Sequence, residues 1–122
     1  MSFKSLIFGA AVILPFAVRA EPPPPPKTFI IAEIEVINSA TYEDYKSAVA
    51  TMVLRYGGRY IVRGGTTQTY DGDAPKGRVI VLEFPSMTTA QAFVNSDGYR
   101  PVAEIRKKST KSRLLAVEGM PQ

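Results

Sequence analysis

The sequence predicts an α+β domain. The expected architecture is a ferredoxin-like split βαβ: a four-stranded antiparallel sheet with its helices on one face, paired with a second copy into a dimeric α+β barrel. Three observations carry this. The apolar periodicity changes in the order strand, helix, strand, strand, helix, strand between residues 28 and 118. Two glycine pairs, Gly57-Gly58 and Gly64-Gly65, bracket a short β-type run and mark places where the backbone turns or bulges. The strands are apolar on both faces, so the face away from the helices needs a cover.

Each element has a local reason. Thr28 to Ile37 (TFIIAEIEVI) is aliphatic and β-branched, as strands are. Asn38 or Ser39 can cap the helix that follows, expected over Ala40 to Arg55, with Glu43 and Asp44 near its positive end. Tyr42, Tyr45, Val49, Met52, Val53 and Tyr56 recur at three- and four-residue spacing and form its apolar stripe. Gly57 is a natural C-terminal stop. Arg59 to Val62 is a strand, expected to continue through a bulge at Gly64-Gly65 into Thr66 to Tyr70. Asp71 to Gly77 is rich in turn residues. Arg78 to Phe84 is the third strand, ended by Pro85 and Ser86. A helix from Met87 to Asn95 is broken by Ser96-Asp97-Gly98. A further helical stretch runs from Tyr99 to Lys107, with Pro101 tolerated in its first turn. Ser109 to Glu118 is the last strand.

The N-terminus stands apart from this domain. Residues 1–20 have the pattern of a secretory signal peptide: Lys4, an apolar run from Leu6 to Val18, and Val18-Arg19-Ala20 before a cut. That run is shorter than the roughly 20 residues of a membrane-spanning helix. The expectation is a periplasmic or secreted protein with no membrane contact after cleavage. Residues 21–27, with prolines from Pro22 to Pro26, read as a stiff polyproline spacer. Residues 28–122 then form a single domain.

Composition narrows the chemistry. The chain has no Cys, His or Trp. Disulfides, His-based triads, thiol nucleophiles, His or Cys metal ligands and an axial His for haem are all excluded. The expectation is therefore no metal and no cofactor. Without Lys4 and Arg19, the 15 basic residues fall to 13 against 11 acidic ones, a charge of +2. That is no signature of nucleic-acid binding. The run Arg106-Lys107-Lys108 reads as a solvated helix end. Asp71-Gly72-Asp73 lacks the spacing and closing Glu of a calcium loop.

Strand alternation assigns the faces. Ile30, Ala32, Ile34, Val36, Tyr60, Val62, Ile80, Leu82, Phe84, Leu114 and Ala116 should meet the helices. The opposite face would carry Phe29, Ile31, Ile61, Val79, Val81, Leu115 and Val117, together with Glu33, Glu35, Arg59, Arg63, Glu83 and Arg113. Two such sheets face to face would enclose Glu33, Arg63, Glu83 and Arg113 from each chain. Either these charges balance one another and set the dimer geometry, or they form an anion or acid–base site. In the second case a buried Glu83 with a raised pKa would be the base and Arg63 the oxyanion partner. Tyr45, in the middle of its helix over the sheet, is the tyrosine of greatest interest. Tyr99 reads as packing near a helix start.

Taken together, several motifs resemble the bacterial family known as domain of unknown function 1330, from the dimeric α+β barrel superfamily. They are Tyr42 and Tyr45 on the first helix, the block Gly-Gly-Arg-Tyr-Ile-Val-Arg-Gly-Gly at 57–65, Val-Leu-Glu-Phe-Pro at 81–85, Ser96 to Tyr99, and Arg106. The resemblance covers Thr28 to Gly119. It implies the same barrel, among relatives that include cofactor-independent monooxygenases, lactone isomerases, haem enzymes and binding proteins. It also implies that Tyr45, Arg63, Glu83 and Arg106 occupy characteristic positions. Where many relatives carry Trp-Tyr, this chain has Phe93-Val94.

Three functions follow as expectations. The first is a homodimeric binder of a small acidic molecule through Glu33, Arg63, Arg106 and Arg113. The second is a cofactor-independent isomerase or monooxygenase-like enzyme using Glu83, Arg63 and Tyr45. The third is a structural scaffold. A deep pocket holding Tyr45, Arg63 and Glu83 would favour the first two.

Overall fold

The structure, a computed structural model, describes residues 9–16 and 20–122. Lys4, Leu6, Val18 and Arg19, on which the signal-peptide reading rests, lie outside the described residues. Residues 20–27 carry no helix or strand.

The elements follow in order as β1 (Thr28–Val36), α1 (Ser39–Arg55), β2 (Arg59–Arg63), β3 (Arg78–Phe84), α2 (Met87–Val94), α3 (Tyr99–Ser109) and β4 (Thr110–Glu118). The strands form one antiparallel sheet in the order β2-β3-β1-β4. This is the expected split βαβ topology.

Local chemistry sets the ends. The Asn38 side chain accepts from the Thr41 N–H at 3.1 Å and caps α1. At the other end Gly57, with φ +79°, donates to Leu54 O, and Gly58 donates to Val53 O. That pair of reversed bonds is a Schellman stop. Ser86 caps α2 in a reciprocal box with Thr89. Ser109 and Thr110 hydroxyls donate to Ile105 and Arg106 carbonyls and close α3.

The core lies between the sheet and the helices. Ile30, Ala32, Ile34, Ile80, Leu82 and Phe84 from the sheet meet Tyr42, Tyr45, Val49, Met52 and Val53 of α1. Phe93 of α2 stacks on Phe84 at 5.4 Å and packs tilted against Tyr99 at 4.6 Å. The tyrosines of α1 behave as core residues, as their spacing predicts.

Two expectations about β2 need correction. Thr66 to Tyr70 do not continue the strand; residues 64–77 form an exposed loop. The irregularity also comes earlier than Gly64-Gly65. Tyr60 pairs with Leu82, and Val62 with Val81, so Ile61 is an extra residue with no partner of its own. One inserted residue reverses the facing of everything after it. Val62, expected inward, therefore joins the open face. Arg63, expected outward, joins the helix face with Ile80.

The open face carries an apolar band, Val62–Val81–Ile31–Leu115, flanked by Phe29 and Val117. Its members are half-buried or exposed; Val62, Leu115 and Val117 are 40–42% exposed. No helix among the described residues is long and apolar enough to cross a membrane.

Candidate functional site

The charges of the open face divide into two separate groups. Glu33 pairs with Arg113 at 3.1 Å across neighbouring strands. Glu83 pairs with the Lys27 ammonium at 2.9 Å and also with the Arg59 guanidinium. Lys27 first, and then Arg59, hold the Glu83 carboxyl below its ordinary value. The expected raised pKa is thus reversed: Glu83 is a clamped carboxylate. The Lys27 carbonyl also accepts from Gly119 N–H at 2.7 Å, which ties the end of the spacer to the sheet.

Arg63 belongs to neither group. The bulge at Ile61 sends it to the opposite side of the sheet from Glu83, so the expected base and oxyanion partner cannot act on one ligand. Its guanidinium lies 4.3 Å over the Tyr60 ring. There it lines a narrow cavity under α1 together with Tyr42, Tyr45, Tyr60, Arg78 and Tyr99. Arg78 donates to the Tyr42 hydroxyl at 2.7 Å. The enclosed space is about 30 Å³, room for one or two water molecules. Tyr45 and Arg63 thus share a cavity, as expected, but without Glu83.

A larger space lies beyond Tyr99, which forms part of both walls. The break at Ser96-Asp97-Gly98 leaves α2 short, and the helix-facing residues Leu114 and Ala116 at the end of β4 are incompletely covered. The resulting cleft, of about 520 Å³, is bounded by α2, Tyr99, Arg106 and β4.

Arg106 is the exceptional residue of this cleft. Its place in the last turn of α3 favours a cation. It is not the solvated helix end expected from its charge run, since it is 9% exposed. Its Nη1 donates to Ser112 Oγ at 2.6 Å. Its Nε–H is buried and has no hydrogen-bond partner. Among the described residues no carboxylate forms an ion pair with it. Of the neighbouring cations, Lys107 lies 3.2 Å from Glu104 and Arg100 lies 3.8 Å from Asp97, both as exposed surface pairs. Nor does a tyrosinate supply the countercharge. Burial, and then the adjacent Tyr99, push the Tyr45 phenol well above its ordinary value despite Arg106 nearby.

A buried guanidinium without a countercharge carries an uncompensated desolvation cost. Nη1 is committed to Ser112, which leaves the Nε–Nη2 edge. That edge matches a carboxylate by two parallel hydrogen bonds. Sequence reasoning missed Ser112. The signal was present, though, as a polar residue in the inward phase of β4, two positions before Leu114. Neither the cavity nor the cleft has an Asp or Glu in its lining. Among the described residues, no three His, Cys, Asp or Glu side chains are placed to hold a metal ion.

An open-faced split βαβ sheet with a tyrosine- and arginine-lined space beneath its helices defines a protein of the ferredoxin-like α+β barrel class. The chain belongs to the family described as Domain of unknown function (DUF1330), whose model matches residues 27–120. Solved structures agree on the fold. A protein of unknown function from Rhodopseudomonas palustris is similar at 16% identity and a TM-score of 0.66, over 80% of this chain and 85% of that one. SnoaB, a cofactor-independent oxygenase from Streptomyces nogalater, is similar at 13% identity and a TM-score of 0.58, over 80% of this chain and 96% of its own. A hypothetical protein of Arabidopsis thaliana is similar at 9% identity and a TM-score of 0.58, over 84% and 96%. No curated protein matches the chain.

Proposed function

We propose that this protein binds a small acidic molecule, whose carboxylate sits on Arg106 in the cleft between α2, α3 and β4. The observation that carries this reading is the buried guanidinium with an orphan Nε–H and no acid to balance it. The enzyme reading loses its base, since Glu83 is clamped on the other face and neither lining holds a carboxylate. A scaffold role gives no reason to bury an unbalanced charge beside an open cleft.

The test is a thermal-shift titration with small carboxylates. Ligand at about a hundredfold over Kd stabilises by about 2.7 kcal/mol. For a domain of this size that raises Tm by about 10 °C or more. Arg106→Gln should weaken binding about 10- to 100-fold, as expected for loss of charged hydrogen bonds. Arg106→Lys, which keeps the charge and loses the fork, should recover only part of it. Unchanged affinity in Arg106→Gln would remove this reading.

The proposal includes a homodimer and export. The apolar band on the open face supports the dimer, since a contiguous exposed patch of this kind marks an interface. SnoaB and the other solved structures support it through the shared fold alone. The N-terminal sequence pattern supports export. Native mass spectrometry of protein recovered from the periplasm or medium addresses both. The expected species is two chains that each begin at Glu21. A monomer at micromolar concentration would rule out the dimer, and chains retaining Met1 would rule out cleavage.

A further inference from the structure

Resting on the Arg106 reading, we infer that the ligand is a monocarboxylate with an apolar body, such as a medium-chain acyl or aryl acid, rather than an inorganic anion, a phosphate or a compact polar acid. The cleft has one ionisable cation, Arg106, and no acid in its lining. One buried guanidinium edge balances one negative charge. A phosphate would bring nearly two, and neither Arg100 nor Lys107 lines the cleft to balance the second.

The remainder of the cleft is mostly hydrocarbon. Met87, Ala90 and Val94 of α2 face Leu114 and Ala116 of β4. Gln91 and Asn95 are the uncharged polar side chains on the α2 side. The volume of about 520 Å³ is far more than a carboxylate group fills. It suits a ligand whose head is held at Arg106 and whose body leaves water for the α2–β4 wall. Tyr45 stays protonated at neutral pH, so no phenolate behind Arg106 competes with that head.

The experiment is isothermal titration calorimetry of the purified chain with acetate, butanoate and octanoate, with octan-1-ol as the uncharged control and inorganic phosphate as the polyanion control. Affinity should rise roughly three- to fourfold per buried methylene along the acid series. Octan-1-ol and phosphate should bind at least tenfold more weakly than octanoate. Two variants separate head from tail. Arg106→Gln should weaken all the acids. Val94→Trp should lower octanoate affinity more than tenfold and leave acetate unchanged. Val94 is 42% exposed, so the added ring fills the cleft from its rim without entering the core. Arg63→Ala should change neither.

Equal affinity for acetate and octanoate, or tighter binding of phosphate, would overturn the apolar-body class and leave the Arg106 anion site standing. Wild-type octanoate affinity in Val94→Trp would overturn that class as well. No binding of any acid to the wild-type chain would remove both readings. Should Arg106→Gln fail to fold, Val94→Trp still decides the class.

Discussion

Gly77→Ala is expected to be strongly destabilising, lowering Tm by about 15–30 °C. Gly77 is the last residue before β3 and has φ +81°. A side chain there meets two costs. The left-handed backbone costs a non-glycine residue about 1–2 kcal/mol. The added Cβ would also overlap the Ile34 carbonyl oxygen and lie 2.7 Å from Glu35 Cα. Both atoms belong to the backbone of β1, a central strand hydrogen-bonded on both sides, so they cannot yield as a side-chain tip would. Together these amount to about 4 kcal/mol or more, a large share of the roughly 5–15 kcal/mol that holds a domain together. Gly57→Ala is the internal control. Its φ of +79° is nearly the same, but its Cβ would meet only Pro85 side-chain atoms at 3.5 Å and beyond. It should show the conformational cost alone. Chemical denaturation of both variants checks the pair; equal losses would show that the close approach to β1 contributes nothing.

Phe93→Ala should cost about 3–5 kcal/mol, the range for emptying a buried aromatic site. Phe93 is 2% exposed and touches three rings: Phe84 at 5.4 Å, Tyr99 at 4.6 Å and Tyr56 at 6.0 Å. It also connects stability to the site, because it braces Tyr99, part of the wall of both the inner cavity and the Arg106 cleft. The variant should therefore show a lower urea midpoint and weaker carboxylate binding. Phe93→Leu should keep most of both, since a hydrophobic residue still fills most of the volume. A Phe93→Ala protein that loses stability but binds as tightly as wild type would show that Tyr99 is held without it.

Legibility from the sequence followed the range of the interactions. Caps and stops are decided within a few residues, and Asn38, Gly57 and Ser86 act as their types suggest. The inward phases of β1 and β3 were equally readable, because nothing interrupts their alternation. Position by position, the site was less so. Tyr45 and Arg63 do share a cavity, and Arg106 does border a cleft. Glu33 and Arg113 are paired with each other, and Glu83 is occupied by Lys27 and Arg59, contacts that connect residues 24 or more positions apart.

The block at 57–65 shows where the division lies. By itself the sequence determined the fold class, the order of the elements, the helix stop at Gly57 and the limit that missing Cys and His place on chemistry. All of these depend on residue type and on spacing along the chain. Which face Arg63 occupies was decided by the tertiary structure, because the extra residue at Ile61 exists only relative to its partner strand β3. The burial of Arg106 beside Ser112, without an acid, was decided the same way. A charge becomes costly only when the surrounding fold removes its water, and no local pattern in the chain records that.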